Sequence, residues 1–145
     1  GETREYEREG KSMKSRVFTS ISGLKLIIKN RKSAVIFEMN QDQTNDKLVV
    51  EFEFEPKDFV ELLNYIETIS NESWANLTPK EADSLGADYY EYYDRELDNN
   101  GYLSIRENAL IIEKPSSERN KLYQFNKRRM ESFIYDFKRA LNTGN

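Results

Sequence analysis

Alternation of apolar and polar residues is the clearest pattern in this chain. Residues 47–54 read Lys-Leu-Val-Val-Glu-Phe-Glu-Phe, so every second side chain is apolar. Successive side chains of a β-strand point to opposite faces of the sheet, so this stretch predicts a strand with one packed face. The same alternation at residues 17–21, 24–29 and 35–39 predicts three further strands. One packed face and one solvated face are typical of an antiparallel sheet.

Two later stretches carry apolar residues at helical spacing. The first begins at Pro56, which suits the first helical position because it has no N–H to leave unpaired. The second follows Asn126, a residue type that caps helix N-termini. Each helix is expected to lie across the apolar face of a sheet, which buries both surfaces. The two stripes are Phe59, Leu62, Leu63, Ile66 and Ile69, and Met130, Phe133, Ile134, Phe137 and Leu141.

This order of elements occurs twice. Residues 101–113 have the strand, turn and strand pattern of residues 23–38, and residues 121–125 lead into the second helix as residues 47–54 lead into the first. A repeat of this length usually marks a duplicated supersecondary unit whose halves share one core. Chance similarity between two β-β-β-α units is the alternative interpretation.

The two copies predict the organisation of the chain. We expect an α+β fold with one domain over residues 17–145, made of two β-β-β(-β)-α repeats whose curved antiparallel sheets are each covered by a helix. The repeats span residues 17–71 and 87–142, and residues 72–86 connect them. Residues 1–16 are polar, with charges of both signs, and contain little that can be buried. They are expected to form a flexible N-terminal arm, either a disordered tail or a segment that docks on a subunit or on nucleic acid.

Composition excludes several kinds of chemistry. The chain contains no cysteine and no histidine, which removes disulfides, thiol nucleophiles, imidazole bases and the usual zinc ligands. No apolar run approaches membrane-spanning length, and no signal-peptide pattern is visible. We therefore expect a cytoplasmic protein with no metal, no other cofactor and no membrane partner.

The net charge of −4 means that any binding to nucleic acid depends on a local patch of cations. Tyr102 and Arg106 share one face of a predicted strand, and Tyr123 and Phe125 share one face of another. An aromatic ring beside a cation suits an unstacked base with its phosphate, and stacking contributes about 1–3 kcal/mol per base. For Phe125, burial in the core is the preferred prediction.

Residues 103–112, Leu-Ser-Ile-Arg-Glu-Asn-Ala-Leu-Ile-Ile, resemble the opening strands of a PUR repeat. Residues 31–35, Arg-Lys-Ser-Ala-Val, resemble the short Lys/Ala-rich strand motif of Whirly proteins. Over residues 17–142 the order of elements is similar to that of the Whirly and PC4-like single-strand-binding proteins and of the PUR repeats of the Pur-alpha proteins. The resemblance implies a sheet face that binds single strands through aromatic and basic side chains, often in an oligomer.

These features predict a non-enzymatic protein that binds single-stranded DNA or RNA with little sequence specificity. Cations would contact phosphates, and tyrosines would stack on bases. A homodimer formed by pairing of sheet edges is a further prediction, because the strand at residues 47–54 has no obvious feature that would prevent its edge from pairing with another chain. The predicted contact residues are Lys25, Lys29, Arg31, Lys32, Tyr102, Arg106, Lys121, Tyr123, Lys127 and Arg128.

Two other functions stay open. Residues 81–98 carry seven acidic residues against one arginine, and such a surface would suit a partner protein with a basic surface. A protein-binding regulator of the kind that a mobile element encodes is therefore the alternative function. An enzyme without histidine or cysteine would need carboxylate chemistry or a metal-dependent nuclease site, with Asp98 and Glu113 as candidates. Asp94, Glu96 and Asp98 alternate on one predicted strand face, but carboxylates at that spacing beside a turn are usually solvated.

Overall fold

The computed structural model describes residues 3–8, 11–39, 49–83, 102–113 and 121–143. These residues form antiparallel sheets and two helices, so the predicted α+β class is confirmed. In chain order the elements are β1 (Thr3–Arg8), β2 (Lys11–Thr19), β3 (Lys25–Arg31), β4 (Ala34–Glu38), β5 (Val49–Glu53), α1 (Pro56–Ser73), β6 (Tyr102–Arg106), β7 (Ala109–Glu113), β8 (Lys121–Phe125) and α2 (Lys127–Thr143).

The strands form two sheets, and each sheet contains one strand from the other predicted repeat, an arrangement called strand exchange below. The large sheet has the order β1-β2-β3-β4-β8, and the small sheet has the order β5-β7-β6. Phe125 of β8 lies opposite Val35 of β4, and Phe52 of β5 lies opposite Leu110 of β7. The last strand of each predicted repeat therefore completes the sheet of the other repeat.

The inner faces of both sheets and the apolar stripes of both helices form one core. Helix α1 contacts β2, β3 and β4 of the large sheet, while α2 contacts α1 and β6 of the small sheet. The ring of Phe37 lies 5.0 Å from that of Phe125 and 5.8 Å from that of Phe133, both in edge-on contacts. The rings of Phe59 and Phe137 join the two helices at 4.5 Å. Side chains from both copies thus share the same core.

The structure differs from the predicted arm at residues 1–16. Strand β1 forms an antiparallel hairpin with β2, and β2 runs alongside β3. Lys14 and Arg16 of β2 lie on the inner face and form ion pairs with Glu72 and Glu61 of α1. The hydrogen bond from Arg16, together with its charge, holds the pKa of the Glu61 carboxyl below its usual range. Backbone pairing and ion pairs to a helix thus place this polar segment in the sheet without an apolar alternation.

Two tight turns occupy equivalent places in the copies. Ser33 in the β3–β4 turn has φ 64°, and Asn108 in the β6–β7 turn has φ 57°, so both lie in the left-handed region. The N–H of Ser33 donates to the carbonyl oxygen of Ser73 at 3.1 Å, at the end of α1. The N–H of Phe54 donates to the carbonyl oxygen of Asn108 at 2.8 Å. Each turn is therefore fixed by a bond to a neighbouring element.

Candidate nucleic-acid interface

Two predicted contact residues lie on the outer face of the large sheet. Leu26 and Ile28 of β3 are buried. Lys25 and Lys29, which flank them, lie on the opposite face of the strand and point away from the helices, as the alternation predicted. Lys25 is exposed. The ammonium of Lys29 lies 2.9 Å from a carboxylate oxygen of Glu38 on the next strand. This ion pair reduces the positive charge that the face presents.

The β3–β4 turn carries two adjacent cations. Arg31 and Lys32 are both exposed, and the side chain of neither forms an ion pair with another described residue. With Lys14, Asn30 and Glu72 they line a cleft of about 290 Å³. The Lys14 ammonium lies 2.6 Å from the Glu72 carboxylate. Three cations and one carboxylate give the cleft a formal charge of 3 − 1 = +2.

The floor of this cleft is polar and buried. Asn30 is 6% exposed, and its Nδ2 lies 3.5 Å from the hydroxyl oxygen of Ser73. The Ser73 hydroxyl in turn donates to the carbonyl oxygen of Ala34 at 3.4 Å. Among the described residues, the Asn30 Oδ1 has no hydrogen-bond partner. A buried acceptor of this kind is satisfied by a water molecule or by a donor on a ligand.

Tyr102 and Arg106 lie on the outer face of the small sheet. Both side chains are exposed, Tyr102 at 39%, so the predicted sharing of one strand face is confirmed. Glu113 of β7 lies opposite Tyr102, and Ala109 lies opposite Arg106. The β3 cations belong to the large sheet, so the predicted contact residues are divided between two sheets rather than gathered on one face.

The prediction that Tyr123 stacks on a base is wrong. Tyr123 is 0% exposed, and its ring lies 4.6 Å from that of Phe125. The two residues do share a strand face, but that face points into the core, where Tyr123 lies opposite Phe37. The preferred prediction of a core position for Phe125 is confirmed, since it is 1% exposed. The side chain of Lys121 lies outside the described residues.

The guanidinium of Arg128 forms hydrogen bonds within the protein. It donates to the carbonyl oxygen of Glu81 at 2.6 Å and to that of Lys80 at 3.4 Å. It also donates to the carboxylate of Asp83 at 3.1 Å and to the hydroxyl of Ser132 at 2.9 Å. The predicted role of Arg128 as a phosphate contact is therefore not supported by its position, because its donors already bind the connector.

The start of α2 otherwise agrees with the sequence analysis. The side-chain oxygen of Asn126 accepts the backbone N–H of Arg129 at 2.9 Å, so the predicted cap is confirmed. Lys127 is half-buried at the first position of the helix. It forms no ion pair with the part of the chain that the structure describes.

The described ranges contain no group of three or more Asp and Glu side chains placed to hold a metal ion. Neither helix in these ranges is long and apolar enough to cross a membrane. Most of the acidic segment, residues 84–98 with Asp98, lies outside the description, and Glu113 is exposed on the small sheet.

Comparisons with protein-family models, with curated proteins and with solved structures found no match to this chain. The resemblance to the Whirly and PUR families therefore stays a prediction.

Proposed function

We propose that this chain binds single-stranded nucleic acid with little sequence preference and that the β3–β4 cleft receives a backbone phosphate. The observation that carries the proposal is the pair Arg31 and Lys32, adjacent, exposed and without a carboxylate partner among the described residues. Lys14 adds a third cation, and the cleft keeps an excess of positive charge after Glu72 is counted. A phosphodiester carries a single negative charge and suits such a cleft.

Further contacts would come from two other surfaces. Lys25 adds an exposed cation on the outer face of β3, at the end of the strand away from the cleft. Tyr102 and Arg106 on the small sheet combine an exposed ring with a cation, which suits a base and its phosphate. Two sheets, each covered by a helix, are also what the resemblance to single-strand-binding families implies. Because the net charge is −4, the attraction must be local and sensitive to salt.

The test is fluorescence anisotropy with labelled dT and rU oligonucleotides over a series of salt concentrations. Each phosphate neutralised on a single strand contributes about −0.7 to the slope of log affinity against log salt. The double variant Arg31→Ala with Lys32→Ala should bind more weakly, and its slope should be shallower by about 1.4. The matched control is the double variant Lys57→Ala with Lys80→Ala, which removes the same charge. Both of these lysines are exposed and distant in sequence from the turn.

Two results would refute the proposal. One is a wild-type protein that binds neither oligonucleotide at micromolar concentration and low salt. The other is an equal loss of affinity in the turn variant and in the control variant, since this would show that only net charge matters.

A protein-binding regulator is the second candidate function. Its predicted acidic segment lies mostly outside the described residues, but a different acidic surface is described. Glu51 and Glu53 of β5 and Glu113 of β7 are exposed on the outer face of the small sheet. These carboxylates lie on the same face as Tyr102 and Arg106, and they would suit a partner protein with a basic surface.

A further inference from the structure

Among the described residues, strand β5 leaves one side of the small sheet open. It pairs with β7 on one side and forms the edge of the sheet on the other. A groove of about 370 Å³ runs along this edge between β5 and the β2–β3 turn, lined there by Ile21, Ser22 and Leu24. Ile21 is 57% exposed and Val49 is 50% exposed, the two most exposed large apolar residues described. The groove therefore combines a strand edge with uncovered apolar surface.

Backbone groups of β5 point into this groove. On the β7 side, Phe54 donates its N–H to Asn108. On the open side, the carbonyl oxygen of Glu53 accepts the N–H of Ile21 at 2.7 Å. Backbone groups of successive strand residues point to opposite sides, so Glu51 directs its N–H and its carbonyl oxygen to the open side as Glu53 does. No bond to the Glu51 backbone on that side is found among the described residues.

We propose that this edge binds an extended polypeptide in which basic residues alternate with apolar ones, so that the peptide becomes the fourth strand of the small sheet. The inference rests on the protein-binding candidate and not on nucleic-acid binding. The outward carbonyl of Glu53 is already bonded to Ile21, so an added strand would pair with β5 at Glu51 and the residues before it. On the outer face this strand would lie beside the exposed carboxylate of Glu51, with that of Glu53 nearby, which favours lysine or arginine there. Its other face would meet the apolar side of the groove near Leu24 and Val50, which favours apolar side chains.

A second copy of this chain fits the edge less well than a basic peptide does. An antiparallel pairing that overlaps all five residues of β5 with the β5 of a second copy places Glu51 opposite Glu51. It also places Val49 opposite Glu53. Like charges directly opposite each other destabilise a pair of strands. The same carboxylates repel the phosphates of a nucleic acid, so the occupant that this edge favours is a basic polypeptide.

The first experiment measures the binding of synthetic peptides to the full chain by fluorescence anisotropy. The probe is a labelled peptide of about seven residues in which lysine and valine alternate. One control has the same composition with the lysines and valines in separate blocks. The other keeps the alternation but carries N-methyl groups on every second backbone nitrogen, which removes the donors that pair with an edge. Only the first peptide should bind measurably.

Protein variants locate the binding surface. Glu51→Lys should weaken binding of the alternating peptide by about tenfold or more. Glu107→Lys changes the charge equally at the β6–β7 turn and should leave the affinity within about twofold. Glu51→Pro removes the outward N–H without touching the bonds to β7, and should abolish binding while circular dichroism shows the fold retained.

Three outcomes would overturn the inference. Equal binding of the alternating and block peptides would show attraction by charge alone. Equal affinities for Glu51→Lys and Glu107→Lys would place the peptide elsewhere. A wild-type dimer in sedimentation that Glu51→Pro converts to a monomer would show that a second copy occupies the edge. None of these results affects the oligonucleotide assay, so the two proposals fail separately.

Discussion

Ser33 adopts a backbone conformation that its side chain does not favour. Its φ of 64° lies in the left-handed region, where the Cβ of most residues is crowded by the following carbonyl. Asn108 occupies the equivalent turn of the second copy at φ 57°, and asparagine tolerates this region better than serine. The N–H of Ser33 must stay in place because it bonds to Ser73 at the end of α1. The hydrogen bond to Ser73 therefore holds Ser33 in this strained conformation.

Replacing Ser33 by asparagine should relieve this strain. We expect Ser33→Asn to raise the free energy of unfolding by about 0.5–1 kcal/mol, measured by urea denaturation. The reverse change in the other copy, Asn108→Ser, should lower it by a similar amount. If both variants unfold at the wild-type urea concentration, the left-handed conformation is not the cause of any instability.

At the residue scale, the chemistry of the site was only partly readable from the sequence. Alternation correctly placed Lys25 and Arg106 on outer faces. It also showed that Tyr123 and Phe125 share a face, so the core position preferred for Phe125 conflicted with the stacking role predicted for Tyr123. Lys14 was not predicted as a cleft residue, because the polar stretch around it has no apolar alternation that would mark it as a strand. The pairing of Lys29 with Glu38 depends on the register between two strands, which sequence alone does not determine.

Arg128 joins two elements that are far apart in sequence. Residues 74–83 run without regular structure along α2, and Arg128 binds two carbonyl oxygens and one carboxylate of this segment. Glu131, one turn further along the helix, is 4% exposed and accepts the N–H of Thr78 at 2.9 Å. The basic first turn of α2 opposes the helix dipole, and the connector supplies the oxygen atoms that compensate for it.

Removing this contact should therefore weaken the whole fold. Arg128→Ala should lower the free energy of unfolding by about 1–3 kcal/mol, because the freed carbonyl groups lose a charged donor. Lys127→Ala, which removes the same charge from the neighbouring position, should change it by less than about 0.5 kcal/mol. Urea denaturation of both variants distinguishes the contact from the helix dipole, since equal effects would point to the dipole.

At the scale of elements, most of the strands and both helices could be predicted because they bury an apolar face. The exceptions were β1 and the first half of β2, which are held by backbone pairing and by ion pairs to α1. The order of strands within the sheets could not be predicted. A strand that alternates apolar and polar residues shows which side is packed, but not which partner it pairs with.

At the scale of the whole molecule, the strand exchange makes each half depend on the other. The first half lacks β8, which covers the edge of β4, and the second half lacks β5, which covers the edge of β7. Without these strands, the large rings of Phe37 and Phe52 lose part of their packing. Neither half retains a complete sheet or a closed core.

We therefore expect that neither fragment of a chain divided after Asp83 shows a cooperative unfolding transition when it is studied alone. Mixing residues 1–83 with residues 84–145 in equal amounts should restore helical circular dichroism and cooperative unfolding. A chain that is first folded and then cut at the same bond by an inserted protease site should stay folded, which is the control. A cooperative transition in either isolated fragment would show that the exchange is not required.

The exchange also determines when this protein can fold during its synthesis. Phe125 follows its partner Val35 by 125 − 35 = 90 residues. At ribosomal speeds of about 5–20 residues per second, β4 waits about 5–20 s for β8 to be made. During that interval an apolar strand edge is open and can pair with the wrong chain. The yield of folded protein should therefore depend on translation speed and on chaperones that cover β4 until β8 arrives.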